Sequence, residues 1–193
     1  TAAQGFHMPR EIVTPLMRSR AKAVNFGIIY GIGAFSLAKN IGVTRKEAEE
    51  YIKTYLDHFS GVRNYMTNVV EHAKETGYVE TLFGRRRYLP ELSSSNFNLR
   101  SFGERVAMNM PIQGTAADII KIAMIRVVHR LEKEGLRARL ILQVHDELIV
   151  EAPEEEAPLV QQLLTEEMEQ AIHLSVPMVA EATIGKTWYD AKA

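Results

Sequence analysis

Cysteine is absent from the 193 residues, so disulfide bonds and thiolate metal sites are excluded. The sequence also lacks any apolar run close to the roughly 18 residues that a membrane-spanning helix needs. The composition, 46% hydrophobic and 24% charged, is typical of a globular domain. These features predict a protein of a reducing, cytoplasmic location that has no membrane partner.

Basic residues are absent from residues 143–170, which contain nine Asp and Glu. Residues 1–142 instead contain 21 Lys and Arg against 13 Asp and Glu. The net charge of −1 therefore does not argue against a polyanionic partner, because local fields decide binding. For most acids of the tract we expect a solvated helix face; these are Glu154, Glu155, Glu156, Glu166, Glu167 and Glu169.

Two cations and two aromatic rings recur at every fourth position, namely Arg18, Lys22, Phe26 and Tyr30. Thr14 as N-cap, Pro15 in the first turn, and Gly31 and Gly33 as stop signals predict a helix that places all four on one face. The cations lie towards the N-terminal end, where the helix dipole favours anions, so a nucleoside triphosphate would fit this face. The alternative is an ordinary amphipathic helix with solvated cations and rings in the core.

The rest of the chain predicts an α+β fold. Hydrophobic periodicity and turn residues indicate a helical subdomain over residues 1–90 and a sheet-containing subdomain over residues 91–193. The expected elements are helices from Thr44, after Gly61, over 98–134 and over 154–172, and strands over 78–82, 86–89, 139–144, 147–152 and 179–184. We expect Pro111 to kink or split the helix that contains it.

Three polar residues, His145, Asp146 and Glu147, stand between two apolar runs. Carboxylates on a tight strand connection can ligate a hard divalent cation, although Asp is also common in turns for backbone reasons alone. The other histidines show no metal-ligand spacing, so an HD-type metallohydrolase is not favoured.

A third polar group, Arg105, Asn109 and Gln113, is spaced four apart around Pro111. Such side chains donate hydrogen bonds to phosphates, sugars and minor-groove acceptors, which differ little between base pairs. An ordinary polar helix face is the alternative. Residues 85–87, all arginine, add a basic hairpin tip suited to phosphates.

Taken together, these residues resemble the C-terminal part of the family A DNA polymerases, the bacterial DNA polymerase I type. Arg18, Lys22, Phe26 and the pair Tyr30 and Gly31 match motif B of the fingers helix, and residues 143–147 match motif C of the palm. The intervening block 104–118 and the segment 185–188 resemble the family as well. The resemblance covers essentially the whole chain.

The resemblance implies template-directed DNA synthesis, with helical fingers followed by an antiparallel-sheet palm with flanking helices. Arg18 and Lys22 would bind the triphosphate of an incoming dNTP, and Lys22 would stabilise charge on the leaving pyrophosphate. Phe26 would pack against the sugar and base. Tyr30, with Gly31, would lie beside the templating position.

In the palm, the resemblance implies that Asp146 ligates Mg²⁺, that Glu147 supports it more weakly and that His145 touches the primer terminus. Primer-template DNA would be held near the new pair by Arg105, Asn109 and Gln113. DNA replication and repair are the processes that this assignment predicts.

A second catalytic aspartate belongs to motif A of the family, and Thr1 falls between motifs A and B. We therefore expect a fragment that is silent alone and whose partner is the N-terminal remainder with motif A and the thumb. Three alternatives remain open: a noncatalytic nucleic-acid or nucleotide-binding module, a single-subunit phage-type RNA polymerase, and a structural helical protein with the stripe in its core.

Overall fold

The structure, a computed structural model, describes residues 14–192, apart from the side chains of Leu16, Arg20 and Ala23. Helices predominate, and two short antiparallel hairpins lie among them, so the α+β fold class is confirmed. The elements in chain order are α1 (Pro15–Ile29), α2 (Ala34–Ile41), α3 (Arg45–His58), α4 (Ser60–Thr76), β1 (Tyr78–Glu80), β2 (Arg86–Tyr88), a 3₁₀ turn (Pro90–Ser93), α5 (Phe97–Lys133), β3 (Arg139–Val144), β4 (Glu147–Glu151), α6 (Ala157–Glu169) and α7 (Trp188–Ala191).

The chain divides into two compact units between Ile112 and Gln113, inside α5. This division by packing differs from the expected boundary near residues 78–95. That boundary, with fingers over 1–90 and palm over 91–193, concerns functional subdomains and stays a prediction. None of the helices in the part of the chain that the structure describes is both long and apolar enough to cross a membrane.

Helix α1 begins and ends where its sequence signals predict. The Met17 backbone N–H donates to Thr14 Oγ1 at 3.2 Å, and Pro15 occupies the first turn, where its missing N–H costs nothing. Gly31 follows the helix with a φ of 71°, a left-handed conformation that favours glycine.

Helix α2 is absent from the sequence-based expectations. Gly33 was expected to act as a stop signal, yet it is the N-cap of this eight-residue helix. The helix exists because Leu37, Ala38 and Ile41 are buried in one core with Ala48 of α3. A short helix of this kind depends on packing, which local periodicity does not report.

The helix expected from Thr44 is confirmed and begins with a capping box, and the first expected hairpin is confirmed as well. The Thr44 backbone N–H donates to Glu47 Oε2 at 2.8 Å, and the Glu47 N–H donates to Thr44 Oγ1 at 3.3 Å. Strands β1 and β2 pair with Tyr78 opposite Tyr88. They close a second core, formed by Ala73, Val79, Leu89, Leu92 and Ala107.

Helix α5 runs without a break through Pro111, so the proline does not split it, and the alternative that Pro111 kinks the helix stays a prediction. Asn96 caps its start, since Asn96 Oδ1 accepts the backbone N–H of Asn98 at 2.9 Å. Ala107 and Asp118 are buried on either side of the proline. We infer that this packing outweighs the one backbone hydrogen bond that proline removes.

The second unit contains the β3–β4 hairpin, α6 and one core. Val144 pairs with Glu147, so His145 and Asp146 form the two-residue connection, as the sequence predicts. Helix α6 is shorter than the expected 154–172. The buried core residues are Ile120, Ala123, Val127, Leu131, Ala138, Leu148, Val160, Leu163 and Ala171.

The strand predicted over residues 179–184 is wrong, because no ladder forms there. Side chains of α6 satisfy the backbone instead. Glu169 Oε1 accepts the Ala180 N–H at 3.0 Å, and Gln161 Nε2 donates to the Ala182 carbonyl. Alternating apolar residues thus give the right local pattern, whereas a strand also needs a partner.

Glu167 and Glu156, like Glu169, are engaged with other residues, contrary to the expectation of a solvated face. Glu167 is buried, and its oxygens accept from Arg126 Nε at 2.8 Å and from Arg130 at 3.3 Å. The Glu156 carboxylate accepts the backbone N–H groups of Arg137 and Ala138, each at 3.0 Å. Both acids therefore join helices and strands of the second unit.

The buried ion pairs of Glu167 lead to the first prediction. Glu167→Ala removes the carboxylate partner of Arg126 and one of the two carboxylate partners of Arg130, which keeps Glu134. Because both arginines are about a third exposed, we expect a loss of about 2 kcal/mol of unfolding free energy. Urea unfolding followed by circular dichroism measures this loss. Glu132→Ala, an exposed acid on α5, is the matched control and should change stability by less than about 0.5 kcal/mol. Equal losses in the two variants would contradict the assignment.

Candidate functional site

The cationic and aromatic stripe of α1 is exposed along its length. Phe26 and Tyr30 are 48% and 43% exposed, and their rings stack at 6.3 Å with an angle of 18° between planes. Lys22 Nζ lies 5.7 Å from the centre of the Phe26 ring, a cation–π contact. Arg18 and Lys22 are exposed, and within the described residues neither forms an ion pair.

The opposite face of α1 does the packing. Ile28 is 2% exposed, Val24 packs against the core that contains α2, and Met17 and Ala21 are half-buried. The interpretation in which the two rings form the core is therefore wrong. One face of this helix is buried and the other presents free positive charge beside two stacked rings.

The C-terminal end of α1 contacts α5 within the first unit. Asn109 Nδ2 donates to the Tyr30 carbonyl at 3.4 Å. Gly31 comes so close that a Cβ there would lie 2.6 Å from Met108 Cε and 3.2 Å from Arg105 Cγ. The structure thus joins two groups, Tyr30 with Gly31 and Arg105 with Asn109, that the sequence presented separately.

Asn109 has one further polar atom to satisfy. Its Oδ1 is buried and accepts no hydrogen bond from the residues described. Arg105, one turn earlier, is exposed and forms no ion pair with the described residues. Gln113, one turn later, is exposed as well and belongs to the second unit. Hydrogen-bonding groups are therefore available along this face of α5.

The β3–β4 turn holds the second predicted group. His145 has a φ of 54°, and its carbonyl accepts from Gln143 Nε2 at 2.7 Å, which fixes the turn. Asp146 is exposed, and its carboxylate forms no hydrogen bond or ion pair with another residue in the range 14–192. A carboxylate of this kind is available to a ligand.

Glu147 differs from Asp146, because both of its oxygens are engaged. Trp188 Nε1 donates to Oε2 at 3.3 Å, and Lys192 Nζ lies 3.0 Å from Oε1. Sequence reasoning missed both partners. The signals for Trp188 are that it is the single tryptophan of the chain and that the segment 185–188 resembles the family, whereas Lys192 gives none.

The carboxylate of Asp146 is the type of ligand that hard cations prefer. The number of such ligands at the turn is too small for a metal site. Residues 14–192 contain no cluster of three or more His, Asp or Glu side chains that could hold a metal ion. A complete metal site would need further ligands.

Comparisons with known proteins agree on one family. A family model described as DNA polymerase family A matches residues 1–190. DNA polymerase I of Geobacillus stearothermophilus is 58% identical over 192 residues, and that of Bacillus subtilis is 56% identical over the same length. Each match covers 100% of this chain and 22% of the relative.

A solved structure matches the whole chain as well. It is the POL domain of Pol1 from M. smegmatis in complex with DNA primer-template and dNTP, 45% identical with a TM-score of 0.95. The match covers 100% of this chain and 34% of the solved one. The chain therefore spans only a part of each protein that it matches.

The close approach at Gly31 generates the second prediction. Gly31→Ala introduces both a strained positive φ and a conflict with Met108 and Arg105, whereas Gly42→Ala, at a φ of 70° with open space around it, introduces the strain alone. We expect a loss of about 1 kcal/mol for Gly42→Ala and a larger one for Gly31→Ala, measured by urea unfolding. Losses of the same size would mean that this contact is not tight.

Proposed function

The chain belongs to DNA polymerase family A, and from this premise we propose that it carries the nucleotide-binding helix and one catalytic carboxylate of a template-directed DNA polymerase. The observation that carries the proposal is the exposed stripe of α1, with unpaired cations at one end and stacked rings at the other. The activity belongs to the whole polymerase, of which primer-template DNA and dNTP are the substrates.

Arg18 and Lys22 bind the triphosphate. Neither cation forms an ion pair with the described residues, so a triphosphate displaces no partner among them. Charge develops on the pyrophosphate as it leaves, and a positioned cation such as Lys22 stabilises that charge where it forms.

Phe26 and Tyr30 recognise the flat part of the nucleotide and its surroundings. Phe26 packs against the sugar and base, and Tyr30, with Gly31, borders the templating base. The two rings already stack at 6.3 Å, so they present a preformed apolar surface. Preformed surfaces lose little conformational entropy on binding.

Arg105, Asn109 and Gln113 hold the duplex beside the nascent pair. Asn109 Nδ2 has a second N–H besides the one that it donates to the Tyr30 carbonyl, and the Arg105 guanidinium forms no ion pair with the described residues. Donors spaced one helical turn apart suit minor-groove acceptors, which are shared by all base pairs. Binding of the duplex therefore does not depend on the base sequence of the DNA.

The turn between β3 and β4 acts at the primer terminus, where the new bond forms. His145 contacts the primer terminus, and Asp146 would hold Mg²⁺, with Glu147 contributing its charge nearby. When bound, Mg²⁺ supplies charge neutralisation to the phosphates and lowers the pKa of the attacking primer hydroxyl. Two-metal catalysis also needs a second aspartate, which we assign to motif A in the remainder of the polymerase. We place this activity in the bacterial cytosol, in DNA replication and repair.

The decisive experiment is complementation. We expect no primer extension by this chain with Mg²⁺ and dNTP, and extension when a separately expressed segment with motif A and the thumb is added. Asp146→Ala should abolish the activity of the mixture, because it removes the free carboxylate of the turn. Glu151→Ala, at the far end of β4, is the matched control and should retain activity.

Two results would reject the proposal. One is primer extension by the mixture that survives Asp146→Ala. The other is silence of a mixture whose two pieces are shown to associate, which would favour the noncatalytic binding module.

Phe26 provides a separate test in the complete polymerase. The resemblance associates phenylalanine at this position with rejection of dideoxynucleotides. We expect Phe26→Tyr to raise the incorporation of ddNTP relative to dNTP, because the added hydroxyl can hydrogen-bond near the sugar. Phe97→Tyr, an exposed ring on α5, is the control. If the ratio of ddNTP to dNTP incorporation is unchanged in Phe26→Tyr, the assignment of Phe26 to the nucleotide site is rejected.

A further inference from the structure

The Glu147 carboxylate is held from one side by the last residues that the structure describes. Trp188 donates to one oxygen and Lys192 pairs with the other. The two partners also contact each other, since Lys192 Nζ lies 4.9 Å from the centre of the Trp188 ring. Glu147 thus accepts a hydrogen bond and forms an ion pair, and its two partners are joined to each other by a cation–π contact.

The segment that supplies these partners, residues 185–192, is tightly built. Thr187 and Asp190 form a capping box at the start of α7, with the Thr187 N–H donating to Asp190 Oδ2 at 3.1 Å. A Cβ at Gly185 would lie 2.6 Å from the Ala191 backbone N, so the chain can fold back only with glycine there. The segment is therefore a rigid support for Trp188 and Lys192.

Asp146 has no comparable support of its own. Its side chain forms no hydrogen bond or ion pair with the described residues, so we infer that the direction of its carboxylate depends on the backbone on either side. His145 fixes one side through its positive φ and its bonded carbonyl. Glu147 fixes the other, through pairing with Val144 and through its engaged carboxylate.

We propose that the C-terminal segment 185–192 positions the catalytic turn: Trp188 and Lys192 hold Glu147, and this orients Asp146. Glu147 is then a positioning residue whose charge is neutralised, and Asp146 is the carboxylate left free for the metal. The proposal rests on the proposed polymerase function. It adds Trp188 and Lys192, far from motif C in the sequence, to the residues on which the reaction depends.

Stability alone does not explain this arrangement. The side chains of Lys192 and Glu147 are 54% and 42% exposed, and ion pairs at that exposure contribute little to folding. Neutralising or removing Lys192 should therefore leave the protein folded. Outer groups that orient a metal-ligating carboxylate, by contrast, commonly change activity or metal affinity by about tenfold or more.

The test uses the complete polymerase with two variants of Lys192. Lys192→Met keeps most of the side-chain length and removes the charge, and Lys192→Arg keeps the charge. Lys186→Met is the matched control, because Lys186 lies in the same segment and contacts no described residue. Trp188→Phe keeps the ring and removes the N–H donor. Thermal unfolding confirms that each variant is folded.

Two quantities are measured: single-nucleotide incorporation, as kcat and as KM for dNTP, and Mn²⁺ affinity of the DNA-free protein by electron paramagnetic resonance. For Lys192→Met we expect about tenfold losses in kcat and in Mn²⁺ affinity, with KM within about twofold. Trp188→Phe should change both in the same direction, Lys192→Arg should restore them, and Lys186→Met should match the parent.

The proposal is overturned if Lys192→Met keeps the parent kcat, or if its Mn²⁺ affinity is unchanged or higher. Higher affinity would mean that Lys192 competes with the metal for Glu147. Asp146→Ala, measured in parallel, separates this failure from that of the proposed function. Activity that survives Asp146→Ala rejects the polymerase assignment, whereas loss there with no effect of Lys192→Met rejects the positioning role alone.

Discussion

One helix, α5, contributes buried residues to two hydrophobic cores, and the candidate sites depend on those cores. Ala107 belongs to the core that the first hairpin closes, and Ala123 and Val127 belong to the core of the second unit. Because α5 packs into both cores, it continues as a helix through Pro111. Arg105 and Asn109 are placed by the same packing, because Ala107, which lies between them, is buried in this core.

The charges divide by what surrounds them. Glu167 is buried with Arg126 and Arg130, so its carboxylate stabilises the second unit and is unavailable to any ligand. Asp146 is exposed and forms no ion pair with the described residues, and the same holds for Arg18 and Lys22 of α1. A charged group that is buried with a partner stabilises the fold. A charged group that is exposed without a partner is free to bind an ion of opposite sign.

Local signals made much of the fold predictable. The caps at Thr14 and Thr44 bond over three residues, and the two-residue turn at His145 and Asp146 fixes the register of its own hairpin, so each can be recognised in a short window of sequence. The stripe of α1 was predictable for the same reason. Its exposure was not, since only packing decides which face of a helix is covered.

Contacts between distant residues account for what sequence reasoning missed. The segment 179–184 alternates as a strand should, but its backbone is satisfied by Glu169 and Gln161 of α6, and no pattern within the segment reports that. Helix α2 depends likewise on a core shared with α3. In both cases a partner outside the segment decides the structure.

The same limit applies at the catalytic turn, and there it has a functional consequence. Asp146 and Glu147 are adjacent acids that sequence alone treats as two ligands of one metal. The structure separates them, because Trp188 and Lys192, 41 and 45 residues later, occupy the oxygens of Glu147 and leave those of Asp146 free. In the positioning role proposed for the C-terminal segment, a lysine outside the recognised motif gives the two acids different roles.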